Sequence, residues 1–262
     1  MIDCHRHFMF GKADEAAMLR EMERDQVERA VLFGYQGMRL LPGPHAQDAF
    51  ILELANRHPG KIIPFFCDVD FFAPDALDYI RQACKCFSGM GEILLGHSPI
   101  HRAAFDGRRM DDAPALAAFQ EVGRYGLPVL FHADPPFEAQ AENMLVQCPN
   151  TRFIWAHIGY DFLGEYGGSP RAVVWAESKL DQFPNLYFDL SHWKISPIYL
   201  LESGWQSLLE RKSERFVLGV DMSESYEAEG LWIPPLRAVT VGLSGNAKRR
   251  IEGDNLLGLL AG

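Results

Sequence analysis

Short apolar runs recur along the chain at regular intervals, each closed by polar or turn-forming residues and followed by a longer amphipathic stretch. The runs lie at 2–8, 30–35, 62–69, 90–95, 128–133, 152–158, 186–191 and 216–221. Segments such as Phe153-Ile154-Trp155-Ala156 and Phe216-Val217-Leu218-Gly219-Val220 are nearly continuous in hydrophobicity, as strands covered on both faces are. The stretches between them, at 14–26, 46–57, 74–87, 114–125, 136–147, 171–183 and 197–209, read as amphipathic helices. Several open on Pro, Ser or Asp, which favour helix starts. Strand starts fall about 24 to 38 residues apart, the length of one strand–helix unit.

Strands alternating with helices predict a parallel sheet with helices outside. Eight such units in 262 residues predict an α/β fold closed as a (β/α)8 TIM barrel, one domain over 1–262. The stretch 234–260 then supplies the last helix or pair of helices. No Gly-rich phosphate loop follows the first run, which weighs against a dinucleotide-binding sheet.

Composition fits this picture: 48% apolar and 23% charged residues are ordinary for a globular protein with a large core. No run approaches the ~18 apolar residues of a membrane span. The N-terminus has no basic start followed by an apolar stretch, so the expected compartment is the cytoplasm. Five cysteines with no CxxC pair fit reduced, mostly buried thiols, with Cys84 and Cys86 flanking Lys85 at a helix end. A net charge of −10 argues against a nucleic-acid surface, which needs clustered Lys and Arg. The one compact basic cluster, Lys248-Arg249-Arg250, reads as a solvated helix face. The expected partner is a small-molecule substrate. Leu231-Trp232-Ile233-Pro234-Pro235 would either cover a homo-oligomer interface or pack as a loop on its own barrel.

In a barrel of this kind, polar residues at the C-terminal ends of strands belong to the active site. The first strand ends in Asp3-Cys4-His5-Arg6-His7, the fourth carries Glu92, the fifth ends at His132, the sixth at His157 and the eighth at Asp221. Imidazole nitrogens and carboxylate oxygens bind divalent metals. His5 and His7, two apart on a strand, share one face and aim together into the barrel mouth. An HxH pair alone is a weak signal, and a lone His or Glu at a strand end is commonly a hydrogen-bonded structural residue. Five strands ending in such residues make a metal site the better reading. His132 and His157 come from adjacent strands and complete the pocket, and Asp221 can bind as an oxygen ligand and take a proton from a water.

Ile2-Asp3-Cys4-His5-Arg6-His7, Leu130-Phe131-His132-Ala133-Asp134, Trp155-Ala156-His157-Ile158-Gly159 and Leu218-Gly219-Val220-Asp221 together resemble the amidohydrolase superfamily. The likeness is particularly to the amidohydrolase-related branch that includes aminocarboxymuconate-semialdehyde decarboxylase. The resemblance implies metal binding by His5, His7, His132 and Asp221, with His157 binding a second metal or orienting and deprotonating the water. Gly91-Glu92-Ile93 looks like the Gly-Glu-Ile element of TatD-like hydrolases, where the Glu bridges two metals; no Lys stands on this strand to serve as a carboxylated bridge. One ion and two ions both fit. Asp221 is followed by Met222-Ser223-Glu224 rather than the aromatic-proline continuation of the decarboxylases, which as a rule also lack the strand-four Glu. Both departures favour a hydrolase.

The expected activity is therefore metal-dependent hydrolysis, with Zn²⁺ or a similar ion, of a small ester, lactone or amide, Asp221 and His157 acting on the water. A non-hydrolytic decarboxylase of an aromatic or enol acid is the principal alternative. A TatD-like metal-dependent nuclease is the less favoured alternative, since it should carry a basic mouth and this acidic chain has no basic loop clusters. A pure metal-binding module would have a closed ligand shell. Loop candidates for substrate recognition are Tyr35, Arg39, His45, His97, His101, Arg102, Asp134, Tyr160, His192, Trp193 and Glu224, each equally readable as a surface polar residue. His58, just before Pro59, reads as structural.

Overall fold

All eight apolar runs form parallel strands: β1 Ile2–His7, β2 Arg29–Phe33, β3 Ile62–Phe66, β4 Gly89–Gly96, β5 Val129–Ala133, β6 Phe153–Trp155, β7 Leu186–Asp189 and β8 Phe216–Val217. The computed structural model describes residues 1–158, 170–191, 197–222 and 233–262. The strands pair in sequence order, each parallel to the next. Backbone hydrogen bonds then join β1 to the segment from β8 onward: Cys4 N–H to Leu218 O (2.9 Å), Asp221 N–H to His5 O (2.8 Å) and His7 N–H to Met222 O (2.8 Å). The sheet is thereby closed into a TIM barrel, as the alternation predicted.

The helices follow the expected stretches: α1 Glu15–Arg24, α2 Ala46–Arg57, α3 Ala76–Ala83, α5 Ala113–Arg124, α6 Glu138–Gln147, α7 Pro170–Gln182 and α8 Ser203–Arg211. A short helix not foreseen, α4 Ser98–Ala104, follows β4, with the His97 ring accepting from the Ile100 N–H (3.4 Å) at its start. The C-terminal region divides into α9 Ile233–Val241, α10 Gly245–Arg249 and α11 Asn255–Leu260, the last two joined by a π-helical turn at Arg250–Asp254. Among the described residues no helix is long and apolar enough to cross a membrane. The five cysteines are all unpaired, and of these Cys86 alone is exposed.

Two apolar layers hold the barrel. The inner one packs Ile2, Cys4, Val31, Phe33, Phe65, Leu130, Ile154 and Val217, with Leu256 and Leu259 of α11 joining beside Ile2 at the end away from His7. The outer one, between strands and helices, is far larger and includes Met22, Ile51, Ile80, Phe119, Phe153, Phe188 and Trp205.

Strict alternation from Ile2 and Cys4 would turn His5 and His7 away from the interior. It does not, because the β1–β2 register slips between Asp3 and Arg6, one extra residue on β1 forming a bulge. Within the bulge and beyond it the rings of His5 and His7 face inward, 5.3 and 4.7 Å from Phe33, while Arg6 reaches outward to Glu21 of α1 (3.2 Å). Asp3 anchors the bulge: its Oδ1 accepts the N–H groups of His5 (3.1 Å) and Val220 (3.0 Å). β4 slips in the same way between Met90 and Ile93, the interval that holds Glu92. Bulges concentrate next to active sites because they re-aim side chains.

β6 and β8 end earlier than the expected 158 and 221. His157 (φ 59°) and Asp221 (φ 53°) have left-handed backbones, which cannot continue a strand. Such conformations cost ~1–3 kcal/mol each and persist only where the surroundings enforce them. Two of the four non-glycine residues in this region among those described are therefore the two polar residues expected at these strand ends.

Candidate metal centre

His5, His7, Glu92, His132, His157 and Asp221 converge at the C-terminal ends of the strands, all buried. Glu92 sits at the middle. Its Oε2 lies 3.0 Å from His7 Nε2 and 3.6 Å from His5 Nε2, and its Oε1 lies 3.4 Å from His132 Nδ1 and 3.6 Å from His157 Nε2. Asp221 spans the other side, with Oδ1 3.2 Å from His5 Nε2 and 3.6 Å from His7 Nε2, and Oδ2 3.6 Å from His157 Nε2. Three overlapping sets, His5/His7/Glu92, Glu92/His132/His157 and His5/His157/Asp221, each bring their ligand atoms within 4.8 Å of one another.

The far side of each imidazole decides what it presents to the centre. His5 Nδ1 meets Asp189 Oδ2 (2.6 Å), His7 Nδ1 the carbonyl of Gly34 (2.8 Å), His157 Nδ1 the carbonyl of Ser191 (3.1 Å), and His132 Nε2 Asp134 Oδ1 (2.7 Å). Carboxylates and carbonyls only accept, so each of these nitrogens donates and the opposite one turns a lone pair inward. Four lone pairs then face two carboxylates, acceptor against acceptor. Only cations relieve that arrangement: protons on the imidazoles, or metal ions. His5 Nε2, Glu92 Oε1 and His132 Nδ1 are buried atoms with no hydrogen-bond partner, as donors awaiting an ion would be. The residues fit a divalent metal, and the far-side acceptors are the usual means of holding metal-binding histidines.

In the metal-free protein the carboxylates draw protons onto the rings. Burial opposes the His5 imidazolium, but Glu92, Asp221 and Asp189 outweigh it and raise its pKa. Burial also opposes the His132 imidazolium, yet its hydrogen bond to Asp134 and the adjacent Glu92 carboxylate lift it to about 9, from an ordinary 6.5. Asp134 moves the other way: burial would raise it, but the hydrogen bond and charge of His132 and the Ser98 N–H hold it below the usual carboxylate range. The native His132 pKa exceeds the unfolded one, so its contribution to stability is complete below pH 6.5 and disappears as pH rises through about 9. Metal uptake must displace that proton, so affinity rises with pH over the same window. Urea unfolding of chelator-treated protein should show stability falling from pH 6.5 to above pH 9, while the margin gained by adding Zn²⁺ widens. A margin independent of pH would refute this.

Gly219 makes room for the His5 side chain. A Cβ there would lie 2.6 Å from His5 Cβ, 2.8 Å from Asp189 Oδ1 and 2.9 Å from Cys4 Sγ. Gly219→Ala should therefore cost ~1–3 kcal/mol in urea unfolding, the usual penalty for overpacking, and weaken metal uptake as well.

The loop candidates separate into distinct environments. The Tyr35 ring stacks on His7 at 4.1 Å, and His97 lies beside His132 with ring centroids 4.6 Å apart. Burial, then the charge of His132, pushes the His97 pKa down to about 4. Asp134, expected as a substrate contact, holds His132 and accepts the Ser98 N–H (2.6 Å). His45 binds the Asp68 carbonyl (2.6 Å) and stacks on Tyr79, and His101 binds the Leu95 carbonyl (2.7 Å). Arg39 and Arg102 are exposed. His58 pairs with Glu15 at 2.6 Å, a structural role as expected. Tyr160, His192, Trp193, Glu224 and the Leu231-Trp232 part of the apolar stretch lie outside the described residues. Sequence reasoning missed Asp189 and Ser191. Asp189 ends β7, and the rule applied to the other strand ends would have flagged it.

The amidohydrolase family profile matches residues 2–255, and the chain belongs to that family. No curated protein matches it. Among solved structures, it is similar to a putative 2-pyrone-4,6-dicarboxylic acid hydrolase from Pseudomonas putida, with TM-score 0.69, 15% identity, and coverage of 99% of this chain and 97% of that one. An amidohydrolase from Burkholderia multivorans with bound zinc gives TM-score 0.66 at 15% identity, covering 99% and 98%. A dihydroxybenzoic acid decarboxylase from Polaromonas sp. JS666, with bound manganese and 2-nitroresorcinol, gives TM-score 0.60 at 13% identity, covering 99% and 96%. At these identities the likeness establishes the barrel.

Proposed function

We propose that the chain is a metal-dependent hydrolase of a small ester, lactone or amide. The observation that carries the reading is the acceptor-only cluster with Asp221 set across it, one carboxylate oxygen 3.2 Å from His5 Nε2 and the other 3.6 Å from His157 Nε2. His5, His7 and Asp221 would hold one ion, His132 and His157 a second, and Glu92 would lie between with one oxygen toward each pair. This is the bridging role that a TatD-like Glu plays. Imidazole with carboxylate suits Zn²⁺, and other divalent transition metals bind such sets. An ion held there supplies Lewis acidity, making a water acidic enough to attack near neutral pH and polarising the substrate carbonyl.

Asp221 accepts the proton of the attacking water and delivers it to the leaving oxygen or nitrogen. In the metal-free protein burial would raise its pKa, but the neighbouring His5 and His157 keep it below the usual carboxylate range, so it is ionised and ready to accept. In a centre holding one ion, His157, between Asp221 Oδ2 and Glu92 Oε1, would orient the same water instead of binding a second ion. Tyr35 and His97 flank the centre as first contacts for the substrate.

Decarboxylation of an aromatic or enol acid is the second reading, supported by the likeness to the dihydroxybenzoic acid decarboxylase. It would use the same donors, and an ion held by them would supply positive charge for the substrate carboxylate. Metal analysis of purified protein, then a panel of lactones, esters, amides and aromatic acids assayed for hydrolysis and carbon dioxide release, separates the two. Carbon dioxide release without hydrolysis overturns the hydrolase assignment.

A further inference from the structure

We propose that Asp189 and Ser191 form one positioning relay that sets the tautomers of His5 and His157 together, so that both present Nε2 lone pairs to the centre. This rests on reading the cluster as a metal centre. Asp189 and Ser191 are fully buried at the end of β7 and immediately beyond it. Asp189 Oδ2 lies 2.6 Å from His5 Nδ1 and 2.5 Å from Ser191 Oγ. A carboxylate oxygen only accepts, so the imidazole N–H and the hydroxyl both donate to it. With its proton committed to Asp189, Ser191 Oγ can only accept from His157 Nδ1, 3.0 Å away. The Ser191 carbonyl, 3.1 Å from the same nitrogen, makes the same demand. The chain of bonds thus runs from His157 through Ser191 to Asp189, where it meets His5.

The other oxygen makes the carboxylate irreplaceable by an amide. Asp189 Oδ1 accepts the Ser191 backbone N–H at 2.7 Å, so both oxygens face donors. An Asn in its place must turn its NH₂ group toward one of them. Turned toward Ser191 N–H it opposes donor to donor. Turned toward His5 it forces Nδ1 to accept, which moves the ring proton to Nε2 and removes the inward lone pair. The analogous substitution in serine proteases acts through the same tautomer switch.

The test measures Co²⁺ affinity by chelator competition and the visible Co²⁺ spectrum, together with thermal unfolding of the metal-free proteins. Asp189→Asn should bind ~10–100-fold more weakly, the usual loss when the partner of a metal-binding histidine is removed, with an altered spectrum. Ser191→Ala should lose less, and in the double variant its own effect should shrink because the relay is already cut. Ser191→Ala carries the test alone if Asp189→Asn does not fold. Wild-type affinity and spectrum in the folded variants, even with lower melting temperatures, would mean a merely structural role and overturn the relay. A wild-type protein that takes up no Co²⁺ at all overturns the metal reading itself.

Discussion

Asp221→Asn is expected to lower turnover by about 10²–10⁴-fold, the contribution of a positioned general base, while most of the metal stays bound. Three features make this substitution a clean one. Asn has the shape of Asp, so the contacts around the side chain are kept. It adopts left-handed backbone as readily as Asp does, so the φ of 53° at this position is not penalised, whereas Ala would be strained there. It also retains one oxygen that can still face His5 or an ion. What it loses is basicity: an amide does not take a proton from water. Metal content by elemental analysis, circular dichroism and turnover on whichever substrate the panel identifies form the measurement. Retained turnover in a folded, metal-loaded variant would remove Asp221 from the mechanism.

The second large effect concerns Glu92, whose two oxygens face different histidine pairs. Glu92→Gln should reduce bound metal from about two ions per chain to one or fewer, because an amide offers a single acceptor oxygen and one side would meet an NH₂ group instead. Burying the replacement among lone pairs costs less than burying a charge, so the fold should survive. In the metal-free state burial would raise the Glu92 pKa, but His5, His132 and His157 hold it well below the usual range. Removing its charge should also make the imidazoles less basic. Elemental analysis of wild type and variant after dialysis against limiting Zn²⁺ decides the matter. A single tightly held ion in both would argue for one metal, with Glu92 only a hydrogen-bonding neighbour.

Most strands were legible because burial on both faces leaves an apolar signal, β1 being the exception with Asp3, His5, Arg6 and His7 buried in it. Seven of the expected helices began within two residues of a Pro, Ser or Asp start or kept their amphipathic spacing. Helix α4 escaped notice because Ser98–Ala104 is short and polar, with His101 and Arg102 in its last turn. The convergence of His5, His7, Glu92, His132, His157 and Asp221 followed from their positions at strand ends. The bulges did not: a slipped register depends on the neighbouring strand and leaves no trace in one strand's own alternation. The far-side partners were hidden for a similar reason. Gly34 acts through its carbonyl, which every residue carries, and Asp134, Asp189 and Ser191 matter only through rings brought beside them by tertiary structure.

The seam between β1 and the segment after β8 bears on how the protein is assembled. Asp3 meets Val220 across a separation of 217 residues, and the His5 carbonyl binds the Asp221 N–H in the same seam. Contacts so remote in the chain form late, since loop closure is costly until other contacts have shortened the effective distance. His5 and His7 are therefore expected to acquire Asp221 late in folding. A nascent chain short of that stage offers scattered imidazoles of low affinity. On the metal reading proposed above, high-affinity ion capture would report the completed barrel, and the ion would act as a clasp on the last joint to close.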